Sequence, residues 1–182
     1  ALAACYDASV ACYEYPLVMT AHCMAINKTV FEAAGAMQYI DEATHTWKSV
    51  ADFEAAVDAV YKHTNATVGA VYCVGQGGDQ GTRALVNNLC GGTFTNAEHT
   101  EYTWGSEENI AALKKLYDNP AIAYDAGIAG GDEIALFYNG TLNMAFCWNI
   151  AQQLNPNSAN TGAAKTLAGD DIMFMAFPSE NG

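Results

Sequence analysis

The sequence predicts a single α/β domain in which helices flank a mostly parallel, mixed β-sheet. Two patterns support this prediction: strand-like and helix-like segments alternate along the chain, and turn signals separate them. The chain has 182 residues, of which 51% are hydrophobic and 15% charged. That length and apolar content suit one domain with a sizeable core, and the sequence contains no internal repeat and no linker.

The charge balance excludes two classes of partner. Seven Lys and Arg residues against twenty Asp and Glu residues give a formal net charge of −13. A surface this acidic repels nucleic acid and anionic membranes. No apolar run approaches the roughly 20 residues that a membrane-spanning helix needs. We therefore expect no nucleic-acid partner and no direct membrane insertion.

The six cysteines and four histidines predict no metal site. Zinc sites need closely spaced ligand pairs, and the sequence has no C-x-x-C pair and no histidine pair to supply them. Cys73 and Cys147 fall in apolar segments and Cys23 in a mixed one, which favours buried free thiols. The even number leaves disulfides open in an oxidising compartment, and Cys5 and Cys12 are the first pair to check.

The first half of the chain is predicted to form strand, helix and strand. Residues 18–27 alternate between two faces, as a strand does. Thr46 and Trp47 open a helix in which Ser49 and Asp52 form a variant of the capping box. Residues 67–74 are rich in β-branched and aromatic side chains, which indicates a strand. The helix buries an apolar stripe made of Phe53, Val57, Val60 and Tyr61.

The second half is predicted to form two helices and two strands. Ser106 caps the first helix, and Asn119-Pro120 ends it. Asp132 and Glu133 begin a short helix that Gly140 ends in a left-handed conformation. These two acids, like the other adjacent acid pairs, are expected on the solvated surface. Residues 142–147 and 172–177 are the strands. The buried face of the first helix is expected to contain Ile110, Leu113, Leu116 and Tyr117.

A glycine-rich loop, residues 75–81, follows a predicted strand and opens a helix. Its Gln76, Asp79 and Gln80 offer hydrogen-bond donors and acceptors to a ligand's hydroxyl groups, and helix N-capping is the alternative role for Asp79 and Gln80. The same context suits a nucleotide-dependent α/β enzyme. However, the glycines run G-x-G-G-x-x-G, the carboxylate of Asp79 would oppose a pyrophosphate, and the loop lacks the P-loop lysine. We expect no cofactor.

Trp148 and Asn149 fall at the carboxyl end of a predicted strand, where open α/β sheets hold their ligands. Trp148, Trp104 and Tyr15 are candidate platforms for the apolar face of a sugar ring, with core packing as the alternative role of each. No serine lies in a nucleophile motif, and no matched pair of carboxylates for hydrolysis is evident. The sequence therefore predicts no catalytic residues and a protein that is not an enzyme.

Three segments resemble the extracellular solute-binding proteins of bacterial ABC importers. Phe137-x-x-Gly140-x-x-x-Met144, followed by an aromatic residue, resembles the family's F-x-x-G-x-x-A-M segment, with Asn143 in place of the alanine. Cys147-Trp148-Asn149 stands where Gly-Pro-Trp is common, and Thr46-Trp47 resembles the family's T-W helix entry. The sugar-binding branch, which includes the maltose-binding proteins, is the most similar. The N-K-x-x-F-x-x-A-G pattern is matched by Asn27, Lys28, Phe31, Ala34 and Gly35, with Ile26 in place of a preceding tyrosine.

This resemblance runs from about Tyr15 to Gly182 and implies one lobe of a type II periplasmic-binding-protein fold. Residues 1–182 would form the second lobe, with the first lobe and the C-terminal tail absent, since the chain opens at Ala1 without a signal peptide. The resemblance implies binding of a sugar or another polar solute, delivery to the permease subunits of an ABC importer, and an extracytoplasmic location, in a periplasm or lipid-anchored at the cell surface. The candidate ligand-binding residues are Tyr15, Thr20, Gln76, Asp79, Gln80, Trp104, Trp148 and Asn149.

Overall fold

The computed structural model describes residues 22–70, 93–123, 133–149 and 165–179. Strands and helices alternate in these ranges, which confirms the predicted α/β class. A 3-10 turn, Ala36–Tyr39, follows the first helix. The elements are β1 His22–Asn27, α1 Lys28–Ala33, β2 Ile40–Asp41, β3 Thr46–Trp47, α2 Val50–Thr64, β4 Gly69–Ala70, α3 Glu107–Tyr117, β5 Ile122–Ala123, α4 Glu133–Tyr138, β6 Met144–Asn149 and β7 Ile172–Met175.

β1 is the middle strand of a three-stranded sheet in the order β6-β1-β7, and it pairs antiparallel with both neighbours. β2 and β3 form a small antiparallel pair, whereas β4 and β5 are parallel. The carbonyl of Val68, just before β4, accepts the amide hydrogens of Asn143 at 2.9 Å and Met144 at 2.8 Å. Those bonds connect β4 to β6. Parallel and antiparallel pairs both occur, as predicted. Among the described strands, parallel pairing joins β4 to β5 and the other strand pairs are antiparallel, so a mostly parallel sheet stays a prediction.

Alternate residues of β1 contact two separate cores. Met24 and Ile26 belong to the larger core, which also contains the buried side of α2. Ala25 belongs to a smaller core that contains Ile134 and Phe137 of α4. All three β1 side chains are fully buried. Helices therefore cover both faces of this strand, as expected for an α/β domain.

α2 begins as its capping signal predicts. The Ser49 hydroxyl accepts the amide hydrogen of Asp52 at 3.0 Å, and Phe53 is buried with the rest of the predicted stripe except Tyr61, which packs at the core margin. Thr46 and Trp47 form β3 and do not open the helix, so that prediction is wrong. Trp47 is instead held in the core, where its ring meets Phe53 edge-on at 5.0 Å between centroids and its indole N–H donates to the Ala176 carbonyl at 3.0 Å.

The buried face of α3 differs from the predicted one. Ile110 is 57% exposed and Tyr117 is 65% exposed, while Asn109 is only 1% exposed. The Asn109 side-chain amide donates to the carbonyls of Thr93 at 2.8 Å and Thr103 at 3.2 Å. The helix thus turns this asparagine inward, where its amide bonds to two backbone carbonyls, and leaves two apolar residues outside. The spacing of apolar residues along the sequence gives no sign of these hydrogen bonds.

The short helix α4 confirms one prediction about its ends and overturns another. Gly140, just after it, has φ of +82°, the left-handed conformation expected from the sequence. Glu133, its first residue, is 2% exposed and is therefore not on the solvated surface. Its carboxyl oxygen accepts the amide hydrogen of Phe146 at 2.6 Å. A buried carboxyl group is tolerated where such a hydrogen bond offsets its desolvation.

A Gly69→Ala substitution is expected to destabilise the fold. The added Cβ would lie 2.8 Å from Cε2 of Phe146 and 3.1 Å from its Cζ, and Phe146 is enclosed in the larger core. Overpacking of this kind costs about 1–3 kcal/mol of unfolding free energy. Gly105→Ala is the matched control, because nothing lies within 4 Å of its Cβ position. Urea denaturation should give a lower midpoint for Gly69→Ala alone, and equal midpoints would contradict the packing described.

Candidate ligand-binding site

The register between β1 and β6 fixes where the predicted ligand residues Trp148 and Asn149 lie. Because the two strands are antiparallel, the carboxyl end of β6 lies beside the amino end of β1. Trp148 is opposite Cys23, and Asn149 is opposite His22. Both residues are within β6, which extends past the predicted end at residue 147. They still occupy its carboxyl end, as the sequence predicts.

Three more strands end at the same side of the sheet. β7 is antiparallel to β1, as β6 is. Val68 bonds to Asn143 and Met144, and the next residue, Gly69, lies against the side chains of Met144 and Phe146. These contacts advance in the same direction along both segments, so β4 and β6 run the same way, and β5 is parallel to β4. The carboxyl ends of β4, β5, β6 and β7 thus lie on the side of the sheet where β1 begins, which we call the carboxyl edge.

Five of the predicted ligand-binding residues lie outside the described residues. Tyr15 and Thr20 precede β1 in the sequence, and Gln76, Asp79 and Gln80 follow β4. The ligand-binding roles of all five residues stay predictions.

Trp104 lies on a hairpin formed by residues 93–106. An antiparallel bridge pairs Thr95 with Tyr102, and the Thr103 amide donates to the Phe94 carbonyl at 2.9 Å. Trp104 follows this bridge and is 71% exposed. Its ring is therefore not part of the core, which removes core packing as its alternative role. The hairpin is a loop that contains a single isolated bridge.

Cys23 lies opposite Trp148 on the carboxyl edge. The thiol is free and half-buried, and burial raises its pKa above the ordinary value of 9.0. The thiol is therefore neutral at physiological pH, so Cys23 adds no negative charge beside Trp148. Sequence reasoning missed this pairing, because nothing in either segment specifies the register.

Within the described ranges, no three His, Cys, Asp or Glu side chains are grouped to hold a metal ion. No helix in that part of the chain is long and apolar enough to cross a membrane.

The Cys23 thiol should react slowly with iodoacetamide in the native protein. Only the thiolate is nucleophilic, and a raised pKa lowers the thiolate fraction at pH 8. The alkylation rate of Cys23 should keep rising above pH 9, whereas the rate of a fully exposed cysteine levels off near the ordinary pKa of a thiol. Peptide mass mapping identifies the alkylated residue, and the urea-unfolded chain is the control. A native rate equal to the unfolded rate would contradict the burial of this thiol.

Comparisons with known proteins identify the fold. No protein-family model matches the sequence, and no curated protein does. Among solved structures, an ABC substrate-binding protein of Listeria monocytogenes in complex with cycloalternan aligns with 90% of this chain, at 21% identity and a TM-score of 0.59. The GacH receptor of Streptomyces glaucescens aligns with 98% at 18% identity and a TM-score of 0.62. UgpB of Mycobacterium tuberculosis, in complex with glycerophosphocholine, aligns with 97% at 15% identity and a TM-score of 0.65.

The chain spans about two fifths of the length of these proteins: 38% of the Listeria protein and 42% of each of the other two. The alignment covers nearly all of this chain, so its whole described architecture has a counterpart in them. Two of the three structures are described with carbohydrate-type ligands, cycloalternan and acarbose. The resemblance found in the sequence is therefore confirmed at the level of the fold, which is that of the solute-binding proteins of ABC transporters.

Proposed function

We propose that this chain is a non-enzymatic lobe of a carbohydrate-binding protein and that it holds its ligand at the carboxyl edge. The observation that carries the proposal is the register that brings Trp148 and Asn149 to an edge where four strands end. In α/β sheets, ligands bind at the carboxyl ends of the strands. The proteins of this fold that were solved with cycloalternan and acarbose support a carbohydrate as the ligand class.

The chemistry of the predicted ligand-binding residues suits a neutral, hydroxyl-rich ligand. Gln76, Asp79 and Gln80 would bond to hydroxyl groups, since amides and carboxylates supply both acceptors and donors. Trp148 and Tyr15 would stack on the apolar faces of sugar rings. The remaining predicted residues would complete the set: Thr20 and Asn149 as hydrogen-bonding partners, and Trp104 as a further platform. The net charge of −13 opposes an anionic solute.

We also infer that the chain is the second of two lobes. Its ligand would lie in a cleft between them, and the assembled protein would deliver that ligand to the permease subunits of an ABC importer. Such a protein works outside the cytoplasm, in a periplasm or tethered to the cell surface by a lipid. The sequence upstream of Ala1 tests this inference. It should encode a signal peptide and a further α/β lobe, and an ordinary start codon immediately before Ala1 would overturn it.

The 182-residue chain alone should bind sugars only weakly. Small-ligand sites bury about 70–90% of their ligand, and a single lobe leaves one side of a sugar in water. If two lobes contribute equally, a micromolar site worth about 8 kcal/mol falls to a millimolar one worth about 4 kcal/mol. Calorimetry should compare this chain with the full-length protein against maltotriose, chitotriose, mannitol and glycerophosphocholine. Equal, tight binding by both proteins would mean that the site is complete in one lobe.

Single substitutions in the full-length protein test separately whether the carboxyl edge and the hairpin contribute to ligand binding. Trp148→Ala should raise the dissociation constant of the best sugar about tenfold, the effect of losing roughly 1.4 kcal/mol at a buried aromatic anchor. Trp104→Ala tests the hairpin platform in the same way. Tyr117→Ala is the control, since Tyr117 is exposed on α3 and belongs to neither group. An unchanged constant for Trp148→Ala would remove β6 from the site.

A nucleotide titration and a glycosidase assay test the two enzyme alternatives. A nucleotide-dependent enzyme should bind NAD, NADP or ATP with a micromolar constant and lose that binding in Gly77→Val. A glycosidase should turn over chromogenic glycosides and lose activity when one acid is replaced. We expect neither response. Saturable nucleotide binding that disappears in the glycine variant would replace the proposed function with the first alternative.

A further inference from the structure

Two large aromatic side chains of the hairpin formed by residues 93–106 are open to solvent. Tyr102 is 84% exposed and Trp104 is 71% exposed. They are two residues apart, so at most about 7 Å separates their Cα atoms. Neither ring contributes to the two cores formed by the described residues. A single exposed apolar residue is ordinary on a protein surface, but neighbouring ones mark a binding surface.

Hydrogen bonds hold the hairpin that carries these rings in one conformation. At its tip, the Asn96 side-chain oxygen accepts the amide hydrogen of Thr100 at 2.9 Å. At its base, the Thr103 hydroxyl donates to the Thr93 carbonyl at 2.7 Å, and the buried amide of Asn109 ties both strands to α3. Because the backbone is ordered beforehand, rings on this support lose little freedom when a ligand binds.

A hydrogen-bonding group shares the hairpin face of Tyr102. Thr95 is directly opposite Tyr102, and directly opposed residues share a face. The Thr95 hydroxyl is 2.9 Å from Nδ1 of His99, an exposed residue. Among the described residues, none forms a hydrogen bond with Nε2 of His99, so this nitrogen is available to a ligand hydroxyl. The hairpin therefore offers aromatic rings and a polar group together.

The charge and size of this surface indicate its ligand class. The hairpin contains Glu98 and Glu101 and no Lys or Arg, so it repels anionic ligands such as nucleic acid. Burial of one aromatic side chain covers about 150–250 Å². The two rings therefore offer less than the roughly 800 Å² that each partner of a stable protein complex buries. A sugar fits this surface, because its ring has an apolar face for stacking and a rim of hydroxyl groups.

We propose that the hairpin of residues 93–106 is a carbohydrate-binding site that is complete within this chain, where Tyr102 and Trp104 stack on neighbouring units of an oligosaccharide. The ligand class rests on the proposed function. The hairpin needs no second lobe to form, whereas the proposed cleft at the carboxyl edge does. The 182-residue chain by itself therefore separates the two sites.

NMR titration of the 182-residue chain tests the hairpin site. Three tryptophans give three indole N–H signals, and the signal that disappears in Trp104→Ala belongs to Trp104. Maltohexaose or chitohexaose should shift this signal saturably in the millimolar range. Glucose and N-acetylglucosamine should bind about two- to tenfold more weakly, since a monosaccharide contacts only one ring. A Trp104 signal that neither hexasaccharide moves would overturn the proposal.

Substitutions show whether the two rings act as a pair. Tyr102→Ala should raise the dissociation constant of the hexasaccharide about two- to tenfold, and Tyr102→Phe, which keeps the ring, should leave it unchanged. Ile110→Ala is the matched control, because Ile110 is 57% exposed but lies on α3, outside the hairpin. Equal effects of Tyr102→Ala and Ile110→Ala would overturn the pairing. A Trp104 signal that shifts on dilution without sugar would assign the hairpin to a contact between copies of the chain and would also overturn the proposal.

The hairpin site and the proposed function can fail independently. Calorimetry of the full-length protein decides whether a sugar binds in the cleft. A shifted Trp104 signal without cleft binding would leave the hairpin site standing and remove the proposed function. Tight cleft binding with an unmoved Trp104 signal would do the reverse.

Discussion

The burial of β1 on both faces is the constraint on which the rest of the structure depends. Met24, Ala25 and Ile26 are completely inaccessible to solvent, and they alternate between two cores. A slip of one residue against either neighbouring strand would exchange the faces of all three side chains. The registers of β6 and β7 are therefore fixed together, and the position of the carboxyl end of β6 follows from them.

At the end of β1, residues of the N-K-x-x-F-x-x-A-G pattern stabilise the fold. The Asn27 side-chain oxygen caps α1 by accepting the Val30 amide hydrogen at 3.1 Å, and its amide nitrogen donates to Asp170 at 2.8 Å. Phe31 is fully buried, and Gly35 has φ of +71°, which suits glycine. The N-K-x-x-F-x-x-A-G pattern thus specifies a cap, a core residue and a left-handed turn. This explains why the pattern identifies the fold and gives no information about the ligand.

Sequence reasoning succeeded where one short segment determines the outcome, and it failed where distant segments meet. The cap at Ser49 and the turn at Gly140 depend on neighbouring residues, so local chemistry predicted both. Asn109 is buried because carbonyls of a separate hairpin need its amide. Glu133 is buried because the Phe146 amide, in a different element, needs its oxygen. Such hydrogen bonds leave no periodic signal in the sequence. The candidate site was therefore predicted less completely than the fold.

For the proposed carbohydrate-binding function, electrostatics leaves geometry as the means of ligand selection. Four of its few cationic side chains, those of Lys28, Lys62, Lys115 and Lys165, are paired with Glu or Asp, and the net charge remains −13. The resulting field repels anions but does not distinguish one neutral sugar from another. That distinction needs hydroxyl partners and ring platforms held in fixed positions, because a displacement of one bond length breaks a hydrogen bond.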